Sequence, residues 1–138
     1  MKNFIAGVAV LLVILLFPLQ IAMDVINDQR LNKFDVITFK AIQIARTDGY
    51  FKQSTIENLK SELLTEFPDL EESDIVINVT TTPKYRTNEF DDREVISYDI
   101  AIPVSNVIVA GSLLGLSDNE NSFMSRKKGY VLSEVLMP

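Results

Sequence analysis

The stretch FIAGVAVLLVILLFPLQIAM, Phe4 to Met23, decides how the rest of the chain is read. It spans 20 residues without a charge, and only Gly7, Pro18 and Gln20 interrupt its apolar character. As a helix it rises ~30 Å, about the hydrocarbon thickness of a bilayer. A removable secretory signal has a shorter apolar region, about 7–15 residues, followed by a small-x-small site. Here Gln20 holds the −3 position relative to Ala22, a poor site for cleavage, so retention as an anchor is the expectation. Before the run the only charged residue is Lys2, and Asp24 and Asp28 follow it. That asymmetry predicts a cytoplasmic amino terminus and an extracytoplasmic remainder.

Outward from this stretch the pattern turns amphipathic. Ile26, Leu31, Phe34, Ile37, Ala41, Ile42, Ile44 and Ala45 fall on one side of a 3.6-residue period, with Asp28, Lys33, Asp35, Lys40 and Arg46 off it. Val36 and Phe39 lie away from the stripe, on the outward side, and offer a contact surface for a neighbouring copy. Gly49 suits the position that ends a helix. One helix is therefore expected from the anchor to about Asp48.

A second helix follows in FKQSTIENLKSELLTEFPDL, with Ser54 and Glu57 spaced as a capping box, a buried stripe of Ile56, Leu59, Leu63 and Phe67, and Pro68 as its stop. The period then changes to two. Ile75, Ile77 and Val79 share one strand face, and Ile96, Tyr98, Ile100, Ile102 and Val104 share another. Pro103 predicts an edge or a strand end. The segment SNVIVAGSLLGLSDNENS reads as a short helix or an apolar loop, and FMSRKKGYVLSEVLMP as a final strand. The fold class is α+β: a long amino-terminal helix, transmembrane then amphipathic, a short second helix and a small antiparallel sheet. Residues 1–23 form the anchor and 24–138 an extracytoplasmic domain.

Composition narrows the chemistry. The chain has 138 residues, no cysteine and no histidine. That removes the thiolates and imidazoles on which most nucleophilic, acid–base and transition-metal sites depend. Residues 24–138 keep all 19 acids and 12 of the 13 bases, a net charge of −7. Without a basic stripe, nucleic acid is excluded as a partner. The charged segment Lys84–Arg93 reads as a solvated loop, Ser117–Asn121 as a turn without EF-hand spacing, Arg126–Gly129 as a short basic surface run, and Asn78 as a sequon within a strand. No enzyme, cofactor or metal site is expected.

The layout resembles that of type IV pilin-like subunits, and more narrowly the TadE-like pseudopilins of tight-adherence (Flp) pilus systems. The resemblance is carried by Phe4–Met23, AIQIARTDGYF at Ala41–Phe51, ISYDIAIPV at Ile96–Val104, and the closing Ser133–Glu134. It implies a structural or minor subunit of a pilus or of its assembly machinery. The partners it implies are the membrane, other copies or other pilin-like subunits, and a platform protein. The packing helix it implies includes Phe4, Ile5, Val8, Leu11, Leu12, Ile14, Leu15, Phe17 and Pro18, then Leu31, Phe34, Val36, Phe39, Ala41 and Ala45. Type IV pilins are processed after a glycine and carry a glutamate five residues into the mature chain. Counting from Gly7 places Leu12 there, a departure that fits a minor subunit better than a major one. The alternative is a membrane-anchored extracellular binding module, which covers its first helix with its own sheet.

Overall fold

The computed structural model describes residues 1–87 and 91–137. Helix α1 runs unbroken over Lys2–Asp48, 47 residues with Pro18 inside it. Arg46 lies in its last turn, where a cation complements the helix dipole. Gly49 ends it at φ +87°, the left-handed conformation that glycine adopts at least cost. A Cβ at Gly49 would lie 2.7 Å from the carbonyl oxygen of Lys84.

Helix α2 covers Gln53–Glu66. Its amino terminus corrects the expected capping box. Lys52 occupies the cap position, and its carbonyl accepts the N–H groups of Thr55 and Ile56. Ser54 therefore already sits inside the first turn, and Glu57 instead accepts a 3.0 Å hydrogen bond from the Gln53 side chain. A reciprocal box forms further on, between Glu71 and Asp74 around a single 3-10 turn at Glu72–Asp74. Phe67 closes α2, donating its N–H to Leu63, and Pro68 follows.

Strands β1 (Val76–Val79), β2 (Val95–Ser105) and β3 (Ser122–Leu132) form a sheet in the order β1-β2-β3. The sheet is antiparallel. The β1–β2 register runs from Val76 opposite Ala101 to Val79 opposite Tyr98. Pro103 is thus not at a strand end; it lies inside the central strand. Because β1 reaches only to Ala101, Pro103 is past the last β1 pair, where no N–H is needed on that side. The ambiguous segment before β3 contains a 3-10 turn at Gly111–Leu114.

The chain divides into two compact units. The first is Met1–Leu31 with Val104–Phe123; the second is Asn32–Pro103 with Met124–Pro138. The second unit holds the main core. Phe34, Ile37, Ala41, Ile42 and Ala45 of α1 and Leu59, Leu63 and Phe67 near α2 pack on Ile96, Ile100 and Ile102 of β2. The alternation in β1 and β2 predicted this face, with Ile77, Val79 and Tyr98 half-buried against it. Ile26 and Ile44 leave the predicted stripe: both are exposed. They are 18 residues apart, about five turns of helix, so they share one angular position at the stripe's margin.

The last residues close the second unit. The Glu134 N–H donates to the carbonyl of Arg46, one of the free acceptors at the end of α1, and its carboxylate meets the Arg46 guanidinium at 2.8 Å. Ser133 is buried, and its hydroxyl donates to the carbonyl of Lys84 at 2.7 Å.

Candidate membrane and packing surface

Every residue from Phe4 to Leu15 is exposed. Phe4, Ile5, Val8, Leu11, Leu12, Ile14, Leu15 and Phe17 all present their side chains outward, and Pro18 is exposed with them. Gly7 has nothing within 4 Å of a hypothetical Cβ. This is the one helix among the described residues that is long and apolar enough to cross a membrane. An uncovered apolar surface of this extent calls for a lipid or protein cover.

The lone amide in that span is not idle. Gln20 donates to the Val107 carbonyl and accepts from the Val109 N–H, each at 2.9 Å, and also donates to Asp24 at 2.7 Å. Further along α1, within the first unit, Asn27 is 7% exposed, and its Oδ1 has no donor among the described residues. In the sequence Gln20 counts as an interruption of the run and as a poor −3 residue for cleavage, and Asn27 is not singled out. A single amide in an otherwise uncharged span was the signal, since such groups need a specific partner.

In the second unit the expected packing residues of α1 separate into two groups. Phe34, Ala41 and Ala45 are buried in the chain's own core, and Leu31 in the first unit is half-buried. The stripe assigned to subunit packing is therefore already covered by the protein's own sheet and α2. The reason is its composition: aromatic and aliphatic side chains at i, i+3 and i+7 match the apolar face of β2. Val36 and Phe39, by contrast, are 68% and 61% exposed. One helical turn apart, they form a ridge framed by ion pairs, Lys33–Glu66 at 2.7 Å, Lys40–Glu62 at 3.0 Å and Lys127–Asp35 at 2.8 Å. A groove of about 410 Å³ beside the ridge is lined by Asn32, Lys33, Ile37, Glu62 and Glu66 as well as Val36.

The basic run Arg126–Gly129 lies within β3, and strand alternation divides it. Arg126 makes a bidentate pair with Asp99, both contacts at 2.6 Å, and Lys128 stands 4.0 Å from the same carboxylate. Lys127 points the other way, to Asp35 on α1. The Arg126 hydrogen bonds hold the Asp99 carboxyl below the ordinary carboxylate range, and they push the Arg126 guanidinium up in turn. Gly129 faces the ring of Tyr98, whose hydroxyl would lie 2.7 Å from an added Cβ.

The charged loop also satisfies itself where it is described. Lys84 donates to the Asp92 carbonyl and Arg93 to Asp91. Glu94, a residue not singled out in the sequence, is buried and accepts from the Thr87 N–H and hydroxyl. Glu89 lies outside the described residues. At Ser117–Asn121 the Ser117 N–H and hydroxyl both donate to Glu120, keeping its carboxyl below the usual range. Among the described residues no three acidic side chains gather as a metal site would require. Asn78 is exposed in β1, opposite Asp99.

Comparison with known protein families, curated proteins and solved structures finds no match to this chain.

Proposed function

We propose that this chain is a single-pass membrane protein of pilin-like, TadE-like type, a minor or structural subunit of a cell-surface pilus or its assembly machinery. The supporting observation is one continuous helix of 47 residues whose first part is uncharged and uncovered, while its second part is built into an α+β domain. The first part anchors the subunit in the bilayer, with Lys2 on the cytoplasmic side and Asp24 and Asp28 outside. When a platform protein engages the subunit, the same uncovered surface exchanges lipid for the helices of neighbouring subunits. Val36 and Phe39 offer a contact of their own in the second unit. The mechanism is one of packing and needs no catalytic group.

A second reading, an anchored extracellular binding module, draws on the covering of Phe34, Ala41 and Ala45 by the chain's own sheet. Cross-linking separates the two. The chain has no cysteine, so Val36→Cys and Phe39→Cys introduce unique thiols. A short bismaleimide applied to intact cells yields covalent dimers of either variant, also present in sheared surface material, if the chain packs as a filament subunit. Monomer alone, confined to the membrane fraction, overturns the filament reading in favour of the binding module.

A further inference from the structure

We infer that the uncharged loop 106–117 is a second membrane contact, lying in the outer headgroup–acyl boundary beside the emerging helix and held there by Gln20. This rests on the reading of Phe4–Met23 as the membrane span.

Gln20 sets the depth of the loop. Gln20 precedes Met23, the last residue of the uncharged span, by three residues, roughly 4.5 Å of helix rise. Its two hydrogen bonds to Val107 and Val109 fix the loop backbone at that level. Met23 itself lines a cavity of about 180 Å³ with Ile108, Ala110 and Leu116. A loop bonded to the span inside its polar limit is at the interface wherever the span crosses the bilayer.

The composition of the loop points the same way. NVIVAGSLLGLS, residues 106–117, contains no charge, in a chain that is 23% charged. Ile108 is 41% and Leu114 70% exposed. In water a loop tip favours polar residues; exposed apolar side chains beside an apolar span gain from burial at the headgroup boundary.

The backbone of the loop also suits this position. Unpaired N–H and C=O groups are expensive where water is scarce. Here several of these groups are paired, from within the loop and by Gln20 and Asn121 beside it. Asn121 is buried, and its side chain accepts from the Ile108 N–H and donates to the Ile108 carbonyl, while its own carbonyl accepts the Val107 N–H. Gln20 serves Val109 and Val107. The N–H groups of Gly111, Gly115 and Leu116 are taken up within the loop. The left-handed conformations of Asn106, Ala110 and Gly115 allow the tight path this requires.

The occupant is lipid, because the loop's apolar surface continues that of the membrane span and offers no charged group to a protein partner. The test uses the full-length protein in phosphatidylcholine liposomes, with single cysteines carrying an environment-sensitive fluorophore at Leu114→Cys, at Leu12→Cys in the span and at Ser61→Cys, exposed on α2. Doxyl-labelled lipid quenches Leu114 at least about threefold more than Ser61. Quenching at Leu12 but not at Leu114 overturns the loop contact and leaves the anchor intact. No quenching at Leu12 overturns the anchor reading and this inference with it. A Leu114 probe shielded from lipid but changing with protein density points to a neighbouring subunit and overturns the lipid assignment. Adding Gln20→Leu lowers the Leu114 quenching by about half through loss of both tethering bonds; an unchanged value overturns the role of Gln20.

Discussion

Residues 4–23 and 34–45 belong to one helix and are both rich in Ile, Leu, Val, Ala and Phe, yet they stand in opposite surroundings. The first stretch is apolar around its whole circumference and almost entirely exposed. The second concentrates its apolar side chains on one side, and that side is buried against α2 and the sheet. Apolar content does not distinguish them; its angular distribution does. A stripe can be covered by a single layer of the chain's own structure, whereas a full circumference needs a surrounding solvent or neighbours.

The comparison is most exposed to Phe34→Ala. Removing a ring that is fully buried should destabilise the second unit by about 3–5 kcal/mol, whereas Leu12→Ala should change its stability by less than about 0.5 kcal/mol. Urea unfolding of the full chain in detergent, followed by tyrosine fluorescence, measures both. Equal effects would show that the two stretches are not energetically separate. The glycines of the same region sharpen the contrast. Gly49→Ala forces a left-handed alanine against the Lys84 carbonyl and should lose about 2 kcal/mol or more. Gly7→Ala meets no neighbour and should be neutral or slightly favour the helix.

A smaller effect of opposite sign is expected at Asn27. Its buried Oδ1 lacks a donor among the described residues, so Asn27→Leu, close in shape, should raise stability by about 1 kcal/mol. Destabilisation of that size would reveal a partner for the amide. The smallest effect is electrostatic. The Asp99 carboxyl is 14% exposed and held below its ordinary value of 3.8 by Arg126. Its contribution is therefore complete above that value and is lost as the pH falls through the lower folded value. The Tm of the wild type should exceed that of Asp99→Asn at about pH 7, and the gap should close in strong acid. A gap that persists in acid would assign the difference to packing.

Much of this fold was legible because it depends on local periodicity. The end of α1 at Gly49, the Leu59–Leu63–Phe67 stripe and the alternation of Ile96, Ile100 and Ile102 each follow from backbone geometry repeated over a few residues. Ser54 misled because the spacing Ser-x-x-Glu fits the inside of a first turn as well as its cap. Pro103 misled because a central strand can be open on one side where its neighbour is short. The apolar span of the candidate site was plain from the sequence, and so was the outward position of Val36 and Phe39. The pairing of Gln20 with Val107 and Val109 was not, because 87 residues separate the nearer partners and no periodic signal crosses such a distance.

The position of Phe34 also bears on how the chain is made. Ile96 and Ile100, which share its core, are synthesised roughly 60 residues later, about 3–12 s at ordinary translation rates. During that interval the α1 stripe lacks its sheet cover, beside an apolar segment that is itself uncovered. The ion pair and hydrogen bond that Glu134 makes with Arg46 come later still. The nascent chain therefore passes through a period in which its longest element is greasy around one end and half greasy at the other, with α2 made but the covering sheet still to come.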